Sequence, residues 1–486
     1  MSPAARALFR TADFLTGRTS RSYHKRPAHI PAAIAATGRI LMTKNPRAVL
    51  RSLLDAALQA VAPDRAVHRH VQVQDNLLHI DNRTYNLDDY DRILVTGAGK
   101  GAAPMAAALE QLLGERITQG AVCVKYGHTV PLRRITLYEA AHPVPDAAGE
   151  AAARRMLELA ASATGRDLVL CVLTGGASAL TPALADGICL AHWQAATQRL
   201  LACGATIHEI NAIRKHVSVF GGGRLAAAAS PATLVALIIS DVVGDDLDVI
   251  ASGPTSPDSS TYEMCLGILD RYGLRHSMPA AITRRLEEGA AGRVPETPAQ
   301  GDAAFDRVHN VLVANNRQAL EAAAQEAARQ GYTPRILTST MTGEAREKAK
   351  ELVTAARQLC AGEPLSGPVC LLAGGETTVT ITGAGLGGRN QEMALAGAMH
   401  LQDCNNITML CAGTDGSDGP TDAAGGFACA ATLNAARCCG LDAGACLADN
   451  NSYVFLEKTG NLLKTGPTLT NVMDMALLLV ECPDAA

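Results

Sequence analysis

The chain predicts an α/β protein of two domains, each a mainly parallel sheet flanked by helices, with the active site in the interdomain cleft. Three observations carry this expectation. Short apolar runs alternate with alanine-rich helical patterns along most of the sequence. Glycine-containing turns follow several of those runs directly, at the strand ends where α/β sheets bind ligands. The length of 486 residues, 48% hydrophobic and 19% charged, exceeds one ordinary domain and can fill large cores.

Taken in order, residues 1–41 hold Arg6, Arg10, Arg18, Arg21, Lys25, Arg26 and Arg39 against the single acid Asp13. That composition fits a transit peptide, a basic tail, or an upstream start with Met42 as the true beginning; a dispensable tail is the favoured reading. Residues 42–290 read as the first domain. Asn45-Pro46 opens an amphipathic helix through Val61, with a cap and a proline at its first position. Short alternating segments at Val71–Val73, Leu77–Ile80 and Thr84–Leu87 suggest a small meander. Strands follow at Arg92–Thr96, Ala121–Val124, Ile135–Glu139, Leu168–Leu173 and Leu234–Ser240, with helical patterns between them.

Residues 291–306, rich in proline and glycine, read as a linker to a second domain, 307–486. There the alternation restarts: strand Val308–Ala314, helix Arg317–Gln330, strand Pro334–Thr338, helix Glu344–Cys360 and strand Val369–Ala373. A threonine-rich strand at Thr377–Thr382 and strands at Ile407–Ala412 and Val472–Val480 complete the second sheet.

Composition excludes several classes of function. A formal net charge of −4 predicts no nucleic-acid or anionic-membrane surface. No apolar run reaches the roughly 18 residues of a bilayer span. The 14 cysteines are scattered, without a CxxC, as reduced thiols in a cytosol-like compartment would be. A cytoplasmic protein is expected, or a mitochondrial one if residues 1–41 are a transit peptide.

The stretch Val369–Leu395 carries the clearest chemistry. Gly374 and Gly375 end an apolar run, Glu376 stands at the strand exit, and a glycine loop leads to Arg389 and Asn390 at a helix start. Amide N–H groups and a guanidinium fork converging there suit an anion. A glycine-rich hairpin with a surface arginine is the alternative. The turn Gly97-Ala-Gly99-Lys100 looks like a dinucleotide fingerprint, but the next strand ends in Lys125-Tyr126, without the acid that would bind a ribose. Lys100 instead places an ammonium at a helix start, and its spacing is not that of a P-loop.

Thr174-Gly175-Gly176-Ala177-Ser178 repeats the design after another strand, as a phosphate cradle or as a tight turn without ligand. Asn211, Arg214 and Lys215 can share one face of a helix. Asp241 ends an apolar strand, with Asp245 close behind; such carboxylates suit Mg²⁺, and solvated loop acids are the competing account. Asp415 and Asp418 follow the apolar run ITMLCA, Asp415 as a substrate- or metal-directed acid, Asp418 as its partner or as scaffolding.

VTGAGKG (95–101), LTGGASAL (173–180), NAIRKHVS (211–218), ISDVVGDDLDVIASGPT (239–255), GGETTVTITGAGLGGRNQEMAL (374–395) and GTDGSDGPTDAAG (413–425) together closely resemble the class II glycerate 2-kinases. The resemblance runs from about residue 46 to the end. It implies a Rossmann-like N-terminal domain and a C-terminal domain named for its leucine-rich fragment. It also implies ATP- and Mg²⁺-dependent phosphorylation of D-glycerate at the 2-hydroxyl. Lys100 and Arg389 match the family's turn lysine and its GGRNQE arginine. Physical reasoning assigns them to the γ-phosphoryl and the glycerate carboxylate, and Asp415, or else Asp241, to the hydroxyl or the metal. Lys100→Ala and Arg389→Ala are then expected to lower kcat while leaving the fold intact. A homodimer is compatible with this reading, and NADPH-dependent hydroxypyruvate reduction or a non-catalytic sugar-phosphate regulator are its alternatives.

Overall fold

The structure is a computed structural model that describes residues 45–361 and 367–481. The expected basic extension, residues 1–41, lies outside them.

Helix Pro46–Ala60 begins as its sequence demands: Asn45 Oδ1 accepts from the Arg47 amide at 3.0 Å, and proline occupies the first turn. It buries Val49, Leu50, Leu53 and Leu54. Its partners are helix Asn316–Arg329 and the second sheet, so the start of the described chain packs with its far half. A three-stranded antiparallel meander follows, β1 (Val71–Gln74), β2 (Leu77–Ile80) and β3 (Arg83–Asn86).

The first main sheet comprises β4 (Arg92–Ala98), β5 (Ile117–Lys125), β6 (Ile135–Ala140), β7 (Asp167–Leu173), β8 (Thr233–Ile239) and β9 (Val308–Ala314). Its order is β6-β5-β4-β7-β8-β9, parallel throughout. Alternation along β4 sends Ile93 and Val95 toward helix Ala102–Leu113, and Leu94 toward helix Ala147–Ala161 on the opposite face.

Membership of β9 corrects the expected division, which gave 308–314 to the second sheet. Its strand pairs with β8, and the segment before it is anchored on the first half: Asp258 N donates to the Pro298 carbonyl at 2.9 Å, and Glu296 binds both His216 and the Tyr262 amide. Residues 291–306 therefore do not act as a free linker. Glu296 and the Pro298 carbonyl supply those anchors, which proline and glycine content alone does not reveal.

The second main sheet holds β10 (Thr333–Met341), β11 (Val369–Gly375), β12 (Ile407–Gly413), β13 (Gly425–Cys429), β14 (Leu462–Leu463) and β15 (Asp474–Val480), in the order β10-β11-β15-β12-β13-β14. Four of the six strands point one way; β15 and β13 run against them. The neighbour pairs are consequently mostly antiparallel, unlike the first sheet. The C-terminal strand causes this by inserting, reversed, between β11 and β12.

The expected strand Thr377–Thr382 is a loop with one bridge, Thr378 to Glu344. Asn450 Oδ1 holds it in place, accepting from the Thr382 and Gly383 amides at 2.7 and 2.9 Å. One apolar cluster, including Leu50, Val95, Leu109, Leu320, Leu372 and Leu477, joins the two sheets through the helices between them.

Candidate active site

Two turns at the carboxyl edge of the first sheet are clamped together. The Lys100 amide donates to the Gly175 carbonyl at 3.0 Å, and the Gly101 amide donates to Thr174 Oγ1, also at 3.0 Å. Gly175 and Gly176 are needed here for different reasons. A Cβ on Gly175 would lie 2.3 Å from Asp241 Oδ2, so its absence lets that carboxylate approach the turn. Gly176 has φ +88° and abuts the Lys100 stem and the His142 ring. Gly97 and Gly99, expected to meet a nucleotide, instead face the neighbouring strand: a Cβ on either would strike Val172 or Thr174. They serve strand packing.

The half-buried Asp241 has its pKa pushed up to about 6. Burial is the main cause; the charges of Glu376 and Asp415 add to it, and Lys100 opposes it. His142 is driven down to about 4, by burial first and then by Lys100 and Lys125. Contacts with the Gly175-Gly176 turn gather Asp241, Lys100 and His142, Lys100 in turn reaches Asp415, and Glu376 is near enough for its charge to act on Asp241.

The opposite wall comes from the second sheet. Arg389 opens helix Arg389–His400 and is held three times: Nε to Asp474 Oδ2 at 2.6 Å, Nη2 to Asp474 Oδ1 at 3.1 Å, and Nη1 to Glu376 Oε1 at 2.7 Å. Asp474 is buried, and burial raises its pKa to about 6 against the pull of Arg389. Asp418 caps the same helix, accepting from the Asn390 amide at 3.1 Å and the Gln391 amide at 2.8 Å. It is scaffolding, one of the two roles expected for it. Asn390 stands at the helix start that was expected to receive an anion. Only 1% exposed, it donates to Asp418 and Asp474 and acts behind the site surface.

The walls meet where Lys100 Nζ lies 3.4 Å from Asp415 Oδ2, both groups about one-fifth exposed. Asp415 Oδ1 is fixed by the Ser417 amide and hydroxyl, each at 3.0 Å. Glu376 joins the crevice through Arg389.

Other expected residues lie elsewhere. Lys215 is 4% exposed, with Nζ 2.9 Å from Asp258 and 3.2 Å from Asp248, so its charge is consumed in a buried ion pair. Asn211 is buried and accepts from Arg214 Nη1 at 2.7 Å. Ser178 Oγ lies 2.8 Å from Ser252 Oγ, just beyond the Gly176 turn. Asp245 accepts from Asn315 Nδ2 at 2.7 Å, which engages it at the cap of the next helix. Among the described residues, no three His, Cys, Asp or Glu side chains gather to hold a metal by themselves.

Sequence reasoning missed Asp474, at the beginning of β15, and Asn471 just before it, whose Nδ2 faces the Gly175 turn. Asp474 is in register with Gly375 and Gly413, the last residues of β11 and β12. A reversed strand brings its start to the edge where its neighbours end, so inspecting only strand ends overlooks it.

Residues 49–287 match the family described as a domain of unknown function (DUF4147), and residues 369–474 match the MOFRL family. A D-glycerate 2-kinase from Thermotoga maritima is 39% identical over 430 residues, covering 88% of this chain and 97% of the relative. The chain belongs to the glycerate 2-kinase family. A crystal structure of glycerate kinase from the same organism superposes with a TM-score of 0.78 at 38% identity, over 90% of this chain and 99% of that one. An Agrobacterium vitis relative with the provisional name hydroxypyruvate reductase is also 39% identical, covering 91% of this chain and 97% of its own length. Four of the six glycerate 2-kinase motifs supply residues of the crevice; of these, GGRNQE and GTDGSDG form the wall opposite Lys100.

Proposed function

We propose that this chain phosphorylates D-glycerate at its 2-hydroxyl with ATP, releasing ADP and 2-phosphoglycerate. The observation that carries the reading is the meeting of Lys100 with Asp415 across the two sheets, beside the Asp241 carboxylate, whose pKa burial pushes up to about 6. Phosphoryl transfer asks for cations on the phosphoryl oxygens and a placed hydroxyl, and little covalent help. Lys100 is the cation for the migrating group. Arg389 orients Glu376 and Asp474 beneath it.

Asp241 suits the base better than Asp415, whose two oxygens are committed to Ser417 and Lys100. In the step, the 2-hydroxyl oxygen bonds to the γ-phosphorus as the bond to the ADP oxygen breaks, and the hydroxyl proton passes to Asp241. The residues fit Mg²⁺, which takes one or two carboxylates and completes its shell with phosphate and water oxygens. Glu376, which gives only Oε1 to Arg389, would hold it and leave Asp241 free to act as the base, and the ion's charge would offset that of the phosphates. Asp245, tied to Asn315, is not part of that set.

The test is to incubate the full chain with D-glycerate and Mg·ATP and follow ADP, identifying the phosphorylated carbon by phosphorus NMR. A parallel reaction holds hydroxypyruvate and NADPH. ADP release with a 2-phosphate product supports the reading. NADPH consumption without ADP would establish a reductase instead.

A further inference from the structure

Arg214, on helix Ile207–Val217, stands in a setting unlike that of any other arginine at the site. Its Nη1 donates to the neutral Asn211 Oδ1 at 2.7 Å, and its guanidinium lies 5.5 Å from the ring centre of the buried Trp193. Among the described residues it forms no salt bridge. Burial alone lowers its pKa, to about 10, so it remains charged at neutral pH. A partly buried cation without a counter-charge is costly to keep unless something negative visits it.

That guanidinium borders a small cavity of about 20 Å³, lined also by Ser178, Thr181, Ser218 and Ser252. One hydroxyl of the Ser178–Ser252 pair donates to the other and leaves the second O–H to offer; that O–H and one planar fork make a receptor for a singly charged, flat oxyanion. A triphosphate would need more cations and more room. The cavity is next to the crevice: Ser178 is two residues past Gly176, which abuts Lys100, so their Cα atoms are at most about 7 Å apart.

We propose that Arg214, with the Ser178 and Ser252 hydroxyls, forms the subsite that binds the carboxylate of the acceptor. This rests on the glycerate 2-kinase reading and sharpens it, because Arg389 was the arginine expected to take that carboxylate. Arg389 already holds two carboxylates of the protein, whereas Arg214 holds none. In a 2-hydroxy acid the hydroxyl sits on the carbon next to the carboxylate. Anchoring the carboxylate at Arg214 therefore fixes which hydroxyl faces Lys100.

The test uses the full chain, with D-glycerate and its uncharged analogue D-glyceramide as acceptors. Arg214→Met, which keeps a stem against Trp193, is expected to raise KM for D-glycerate about 10- to 100-fold, the worth of one charge-assisted hydrogen-bonded contact. KM for ATP should stay within about twofold, and the preference for glycerate over glyceramide should shrink with the glycerate KM. Arg214→Lys, which retains charge without the fork, should recover part of the loss. An unchanged glycerate KM overturns the proposal, as does equal loss with both acceptors. A rise in the ATP KM alone would assign the guanidinium to a nucleotide phosphate and overturn it too. Calorimetric titration of D-glycerate into wild type and Arg214→Lys reads the same subsite without turnover. If wild type binds D-glycerate more tightly than the variant yet releases no ADP, the functional reading falls and the subsite stands; equal heats sink the subsite.

Discussion

The two sheets each bring one cation to the crevice, and they hold it in opposite ways. Lys100 reaches from a glycine turn to a single carboxylate at 3.4 Å, while Arg389 is fastened by three contacts of 2.6 to 3.1 Å to two carboxylates, one of them buried. A loosely paired ammonium can turn to an incoming phosphoryl group at little cost. A guanidinium with all three nitrogens tied to carboxylates keeps about two of its five N–H groups to offer, and can turn toward a ligand only by abandoning Asp474 or Glu376. The difference separates a group that meets the ligand from one that builds the wall behind it.

Substitution at each position tests that separation, and the largest effect is expected at Lys100. Lys100→Ala should lower kcat about a thousandfold, the scale for removing a cation aimed at charge in a transition state. Its melting temperature should stay within a degree or two of wild type, because the lost contact is a single long ion pair, partly exposed and of small worth. A large loss of stability would show that Lys100 is scaffold after all.

Arg389→Ala should lose activity and stability together, which corrects the expectation that the fold would be untouched. Removing one partner of a buried pair costs roughly 3–5 kcal/mol, less here to the extent that Asp474 can take a proton. The double variant Arg389→Ala/Asp474→Asn should recover much of that stability without recovering turnover. Denaturant midpoints for the two singles and the double measure the coupling. Additive losses would mean the pair is not a unit.

How much of this was legible beforehand follows from which interactions are local. Strands β4, β7, β8, β11 and β12 were readable because each is a short apolar run that ends in, or runs straight into, glycine or a polar residue, and the candidates Lys100, Asp241, Glu376 and Asp415 follow from looking just past them. Asp474 was invisible because its place at the site depends on β15 entering backwards between two distant strands. The sequence around Lys215 looks as functional as that around Lys100; only the approach of Asp258, 43 residues away, shows its charge to be spent. Arg214 was grouped with Lys215 on one helix face, yet one turns into a buried ion pair and the other toward Trp193. Long-range pairing decided each of these cases, and composition does not encode it locally.

The smallest expected effect concerns Asp241, the acid that faces both cations' surroundings. Its folded pKa of about 6 lies above the roughly 3.9 of an unfolded aspartate. Between those values the folded state binds the proton more readily, so this group's contribution to stability falls as pH rises from about 4 to 6 and stays low above that. Asp241→Asn removes the charge, so it should melt higher than wild type at pH 7.5, by an amount worth up to about 3 kcal/mol, and the gain should vanish near pH 4. Asp474 carries a similar upward shift in both proteins and cancels in the difference. The variant should also lose the fall in kcat/KM expected of wild type on acidification through about pH 6, because its residual activity lacks the base that titrates. A stability gain of the same size at both pH values would trace the effect to packing. Normal turnover in Asp241→Asn would pass the proton to another acid, and Asp415 would then be the one to substitute.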